Sequence, residues 1–439
     1  MKLIKLALPL FVALAYAPAH VLAATQLLSG DLNGVSVFAG TTAVPAGSTI
    51  SMGDSAIVYG SIFATGVLET GAGSSVTGNV VSGGAANIGA IIGRVTPLFS
   101  VGGNVVSGGV ATMGDGAIVN GYLNSTGAAT VEANGKVGKY LLSGGVSTAG
   151  ANTTIAGSLL STGAASIGAN AVVGGNILSN GIASVGATAK VMGTVTSAGN
   201  VIAADAKVLN GVFSTPALVP TLTADVINQA KAGALQVFTA QNAFKSMTPT
   251  ATYSGALNIG TTTYAAGVYD FPTYLTTTAG STIYLQGDGT AKQSWVFNFG
   301  TYLAAGASTK VVLLNGNSSD SVIWNAGTYT SIGADSSFLG TVLANTYISV
   351  GAGASVTGIG TSCGGVFSQT SYVSTGADSV IGGRGCTGVN TGFDLGAGGK
   401  AVRSAITSAV PEPETYAMLL SGLGLLGFMA RRRKAVSPA

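Results

Sequence analysis

Small and apolar residues recur through the first half of the chain at a fixed period of 18. Blocks starting at Ser107, Ser125, Ser143, Ser161, Ser179 and Ser197 align without gaps. Two residues into each block stands a glycine: Gly109, Gly127, Gly145, Gly163, Gly181 and Gly199. Twelve residues in stands an aliphatic: Val119, Val137, Ile155, Val173, Val191 and Leu209. Sixteen in, the residue is apolar again: Leu123, Leu141, Leu159, Ile177, Val195 and Phe213. Earlier blocks start at Ala46, Ala64 and Ser82, the last with a seven-residue insertion near 91–97. Eighteen is three sixes, and Ile167-Gly168, Val173-Gly174 and Val185-Gly186 echo an aliphatic–small hexad. This pattern predicts a β-helix whose coil has three short faces and glycine near its corners. Its aliphatic columns stack into a dry core that no single coil can make alone. About nine coils at ~4.8 Å each give a rod 43 Å long.

Pro216 and Pro220 end the repeat. Thr223 suits a helix cap and Asp225 the positive end of the helix dipole. Val226, Ile227, Ala230, Ala234, Val237 and Phe238 then form one apolar stripe, which predicts a helix over about 223–243 lying against a β surface. From 251 to 381 the chain is rich in Thr, Tyr, Val and Gly, with alternating stretches such as Trp295-Val296-Phe297-Asn298-Phe299. The expected fold is therefore all-β: a β-helix of 18-residue coils and triangular section, with one long α-helix packed alongside.

The two ends read as addresses. Lys2 and Lys5, an apolar run from Leu6 to Ala17 and a small-residue finish predict a signal peptide over 1–23, cleaved after Ala23. At the other end Val410-Pro411-Glu412-Pro413 precedes an apolar stretch over 416–430 and the cluster Arg431-Arg432-Arg433-Lys434. Fifteen apolar residues are few for a stable span of about 20, so the segment is expected to associate with the membrane transiently. The division is then a signal peptide (1–23), a repeat β-helix (24–216), a second β domain with its helix (217–385), a linker (386–409) and a sorting segment (410–439).

Charge changes little in this picture. The 439 residues hold 18 basic and 15 acidic side chains. Residues 1–23 carry two of the basic ones, and 411–439 carry four basic and two acidic, which leaves 12 against 13. The balance between the addresses is near neutral, and no clustered basic face points to nucleic acid. The one histidine, His20, lies in the signal, so the mature chain lacks a histidine base or metal ligand. The acids stand singly at Asp54, Asp115, Asp205, Asp270, Asp288, Asp320 and Asp335, where catalysis would need convergent groups. No enzyme activity, cofactor or metal is expected. Cys363 and Cys386, an even pair in an exported chain, favour a disulfide.

Three resemblances sharpen the reading. The hexads look like both left-handed hexapeptide β-helices and the right-handed bactofilin-like repeat. The acyltransferases built on hexapeptide helices rely on a histidine, so only the architecture carries over. Ala266-Gly267-Val268-Tyr269-Asp270-Phe271, Leu285-Gln286-Gly287-Asp288-Gly289 and Val311-Val312-Leu313-Leu314-Asn315-Gly316 occur in order. Val322-Ile323-Trp324-Asn325-Ala326-Gly327, Phe338-Leu339-Gly340-Thr341-Val342-Leu343-Ala344 and Gly351-Ala352-Gly353-Ala354-Ser355-Val356-Thr357-Gly358 follow. Over about 217–385 this succession resembles the bacterial and fungal ice-binding protein family. The resemblance implies a discontinuous right-handed β-helix of triangular section with a long helix beside it. The tail resembles the PEP-CTERM sorting signal, on Pro411, Glu412, Pro413, Arg431, Arg432 and Arg433. It implies processing by an exosortase-type membrane protease and secretion, or display on the outer surface, in a Gram-negative bacterium with an exopolysaccharide or biofilm system. The C-terminal segment would sit in the inner membrane beforehand.

Ice recognition needs a rigid, flat array of hydroxyls and methyls. A β-helix repeats every ~4.8 Å between coils and ~6.7 Å between side chains at i and i+2. Threonine carries both groups and is stiff at χ1. Candidates are Thr261, Thr263, Thr276, Thr278, Thr328 and Thr330, together with the column Thr112, Thr130, Thr148, which continues as Ser166 and Ser184. The expected partner is ice or an extracellular polysaccharide surface, the alternative role being a structural or adhesive component of a biofilm matrix. A clean two-column array on one face favours ice, and a scattered one favours matrix.

Overall fold

The computed structural model describes residues 25–41, 47–89, 100–203, 205–214, 225–255, 257–289, 292–386 and 388–404. The signal peptide, the insertion near 91–97 and the sorting segment lie outside them. Strands of two to six residues alternate with tight corners. They stack into three long sheets of 15, 16 and 15 strands, parallel throughout. A short three-stranded sheet lies apart from them, Thr25–Gln26 pairing antiparallel with Phe393–Leu395, which Ala401–Arg403 flanks on the other side.

The stacking order is not the chain order. From Val35 the chain coils outward to Ser214, then re-enters at Ala251 and coils back from the opposite end. Its last full coil meets the first. Val37–Ala39 pairs with Val366–Ser368, Ile50–Met52 with Val373–Thr375, and Ile57–Val58 with Val380–Ile381. The repeat segment and the second β segment thus form one coaxial stack. The 16-stranded face, at ~4.8 Å per coil, is about 72 Å long.

In the repeat segment the inward positions are aliphatic because each coil repeats the same cross-section. Val105, Leu123, Leu141, Leu159, Ile177 and Val195 pair in register and are fully buried. The last repeat departs from the 18-residue period. Val208 stacks on Val191 and Val212 on Val195, a step of 17, so Leu209 and Phe213, placed in the columns by the period, fall one position outside them. The missing residue falls at the corner between Ile202, still in 18-residue register, and Lys207.

The corners obey two rules. One corner column uses left-handed backbone, with Asn134, Asn152 and Asn170 at φ 59°, 56° and 58°, and Asp335 and Asp378 at 58° and 56° in the second segment. Asn and Asp tolerate that region best after glycine. The glycines flagged by the repeat sit at another corner for want of space: a Cβ on Gly127 would lie 2.9 Å from the Gly109 carbonyl oxygen. Beside them runs a buried serine ladder. Ser143, Ser161 and Ser179 donate to the carbonyls of Gly127, Gly145 and Gly163 one coil back, at 3.0, 2.7 and 2.8 Å.

Helix α1 (Asp225–Lys245) lies on the outer side of the 16-stranded sheet. Ala234, Val237, Ala240, Ala243 and Phe244 are buried against Phe38, Phe367, Leu343, Ile323 and Val296. A Cβ on Gly233 would meet the Phe38 ring at 2.8 Å, so glycine sets the approach. Phe238, counted in the expected stripe, instead points outward. The disulfide Cys363–Cys386 brackets the coil 365–381 that receives the first repeat coil.

Phe38 anchors both the closing coil and the helix. Phe38→Ala is expected to cost about 3–5 kcal/mol of unfolding free energy in denaturant melts. It should also speed amide exchange in α1; unchanged protection there would separate the helix from this contact.

Candidate ligand face

One 15-stranded sheet turns a straight column of side chains outward. Thr112, Thr130 and Thr148 are direct Cα partners, followed by Ser166 and Ser184. In the other direction the column runs through Asn87, Glu69 and Ser51. It crosses the junction into Ser374, Ser349 and Ser331, then Ala304 and Thr276. The flanking strand residues, such as Ala111 and Met113, point inward and are buried.

A second column stands two residues ahead, at the preceding corner. In the repeat segment it contains Val110, Val146 and Ile182, exposed by 45 to 49%. In the second segment it is a ladder of stacked rings, Tyr274, Tyr302, Tyr329, Tyr347 and Tyr372. Successive centroids lie 4.6, 4.7, 4.7 and 5.0 Å apart and the ring planes diverge by 5–9°. One backbone ladder ties the two halves together: Ile348 donates to Tyr372, Val373 to Thr49, Ile50 to Val67 and Ala86 to Val110. Glu69 is the only charged residue in the two columns.

Of the expected face residues, Thr112, Thr130, Thr148 and Thr276 share this sheet. Thr278 is exposed at the next corner, where its hydroxyl meets that of Ser281 at 2.8 Å. Thr263 lies on the other 15-stranded sheet, and Thr261 precedes it in the turn. Thr328 sits half-buried in a corner. Thr330 is a correction: it is fully buried, with no partner for its hydroxyl. Strand alternation turns Tyr329 and Ser331 outward and the threonine between them into the core. The array is therefore a column rich in hydroxyls beside one that is largely aliphatic in the repeat segment and tyrosine in the second, neither the two-column threonine array nor a scatter. Among the described residues no three His, Cys, Asp or Glu side chains gather to hold a metal.

Residues 179–381 match the Ice-binding-like family model. The chain carries an ice-binding-like domain. Residues 409–434 match the PEP-CTERM protein-sorting motif, a signal that implies export in Gram-negative bacteria. The ice-binding-like domain takes in the last repeat coils, α1 and the returning coils to Ile381. Similar solved structures include an ice-binding protein from the Antarctic ascomycete Antarctomyces psychrotrophicus, 24% identical over 47% of this chain and 92% of that one, with a TM-score of 0.31. An ice-binding protein domain from Shewanella frigidimarina is 23% identical over 49% and 93%, also at 0.31. One from an Antarctic Flavobacteriaceae bacterium is 15% identical over 85% and 100%, again at 0.31. No curated protein matches the chain. Among the described residues no helix is long and apolar enough to cross a membrane.

Within the ice-binding-like domain the tyrosine ladder has a chemical signature. Tyr302, Tyr329 and Tyr347 hold their protons above the ordinary phenol value of 10.0, first through burial and then through the neighbouring phenol. Stacked phenolates would repel one another. A raised folded value means the folded chain keeps protons the unfolded chain loses, so this contribution is complete below pH 10 and fades above it. The melting midpoint should hold steady up to about pH 10 and fall beyond it. A Tyr302→Leu/Tyr329→Leu variant should lose part of that alkaline slope, and an identical slope would assign it to other groups.

Proposed function

We propose that the chain is exported and binds ice through the face carrying the Thr112–Thr130–Thr148 column. One observation carries this reading: the hydroxyl column and the aliphatic-to-tyrosine column run side by side, in register, with Glu69 as their one charge. Ice repeats in two dimensions, and a surface matches it only if its spacings do not fluctuate. Here the spacing along the rod is fixed by backbone hydrogen bonds at ~4.8 Å, and the offset between the columns by a corner that recurs in register from coil to coil. Threonine's stiff χ1 holds methyl and hydroxyl in place. Serine, valine, isoleucine and alanine supply one function or the other at most remaining positions of the repeat segment.

In this reading Ala23 ends a signal peptide. The Pro411-Glu412-Pro413 segment is recognised by an exosortase-type protease while the apolar stretch rests transiently in the inner membrane. The ice-binding-like domain and the sorting motif support that order of events. The extent of the rod beyond the matched residues favours a second role, as a stiff component of an extracellular matrix. Loss of biofilm cohesion on gene deletion, with ice activity absent from the secreted protein, would make the matrix role primary.

The decisive measurement is recrystallisation inhibition and thermal hysteresis of a 24–409 fragment. Thr130→Tyr and Thr148→Tyr raise rings above the face and should remove most activity, while Thr263→Tyr on the neighbouring sheet should leave it. Equal loss in all three, or no activity in the parent, would end the assignment.

A further inference from the structure

The C-terminal half of α1 does not close against the edge of its sheet. A groove of about 410 Å³ remains there, lined on the helix side by Phe238, Asn242 and Lys245. On the sheet side Asp270 stands at one end, with Asn345 and Gln369 along the floor. Small-molecule sites span roughly 300–1,000 Å³, so the volume suits a ligand of a few rings at most.

The walls are built to hold their shape. Asn298 donates to the Phe244 carbonyl at 3.1 Å and to the Asp270 carboxylate at 3.0 Å. Asn325 donates to the Gln241 carbonyl at 3.0 Å and to Asn298 at 2.9 Å. Gln241 returns a bond to the Ala326 carbonyl at 3.1 Å. This ladder adds donors to the Gln241 and Phe244 carbonyls and pins α1 over the ends of the strands that carry Asn298 and Asn325. The facing amides differ: among the described residues, the side chains of Asn242, Asn345 and Gln369 make no hydrogen bond. Phe238 offers an apolar ring that is 46% exposed at the same opening.

The geometry points to a binding groove for a neutral oligosaccharide. Free amides present a donor and an acceptor together, which is what adjacent sugar hydroxyls require. An exposed aromatic ring provides the apolar surface against which a sugar ring rests. One Lys and one Asp leave the groove without net charge, which disfavours a nucleotide or an acidic peptide. The groove floor stands two residues ahead of the tyrosine column, Gly300 before Tyr302 and Gly327 before Tyr329. The groove therefore adjoins the ice face without sharing its outward residues, and the rod can hold a saccharide and present that face at once.

The test is calorimetric titration of the full chain with cellohexaose, maltohexaose, laminarihexaose and chitohexaose. At least one should bind with Kd of roughly 1 mM or tighter. Phe238→Ala and the double variant Asn345→Ala/Gln369→Ala should each weaken that binding by about tenfold or more. Both changes touch residues outside the core, so melting midpoints should hold, and a drop would move the comparison to Phe238→Leu, which keeps bulk and loses the ring. Thr130→Tyr should leave saccharide binding intact, and Phe238→Ala should leave recrystallisation inhibition intact, so the two surfaces fail separately. Absence of binding by all four sugars, or binding indifferent to the groove variants, overturns the proposal.

Discussion

Each coil is held to the next by parallel backbone hydrogen bonds, and nearly everything else in the molecule follows from keeping that ladder unbroken. Backbones ~4.8 Å apart leave no room for side chains where corners stack. Hence the glycines at 109, 127 and 145, whose Cβ atoms would strike the coil beneath. Hence also Asn and Asp where the chain must turn through left-handed backbone. The inward serines add a second tie between coils, since each hydroxyl donates to a corner carbonyl of the coil before. The same ladder that forbids bulk inside sets the spacing of whatever stands outside, so the regularity of the ligand face is a consequence of the core.

A stack of parallel strands has two open edges wherever the chain starts and stops. Here the coil that begins at Val35 lies in the middle, against the coil 365–381, so the strand Val35–Ala39 has partners on both sides. The coil that completes this closure is the one bracketed by the disulfide. Joining the two segments there leaves open strand edges only at the outer ends, near Ser214 and Ala251, where two separate stacks would expose twice as many. Helix α1 then covers the outward apolar residues that the wide coils and the first repeat coils share.

Much of this was legible in the sequence, and the limits are physical. The 18-residue repeat revealed the coil, its inward columns and one outward column, because a period is visible wherever coils have equal length. It failed at Leu209 and Phe213, where one corner is a residue shorter. It failed more broadly after residue 251, where partners one coil apart lie 28, 27, 18 and 25 residues apart. No single period aligns Tyr274 with Tyr302, Tyr329, Tyr347 and Tyr372, so the ring ladder stayed hidden, as did Ser331, Ser349 and Ser374 beside it. Thr330 was misplaced for a local reason: two threonines around a tyrosine fit either phase of a strand, and only the core decides which side the aromatic takes.

Unequal coils raise the question of how a wide stack meets a narrow one without a step in its outer face. The answer lies in the inward positions of the 16-stranded sheet, where one column shows it most fully. It reads Tyr269, Phe297 and Trp324 in the wide coils, then Val342 and Val366, and passes into Val37, Ile62 and Val80. Aromatic rings fill the broad section, and the column changes to valine two coils before the junction. By the time the chain offers the coil 365–381 to its N-terminal segment, the interior has narrowed to the size of the repeat. Two sections of matched width can then share one hydrogen-bond register, and Ser374 falls opposite Ser51. The taper is entirely internal. It lets segments of different coil length present one uninterrupted outer column, which is the condition a surface must meet to be read by a crystal lattice.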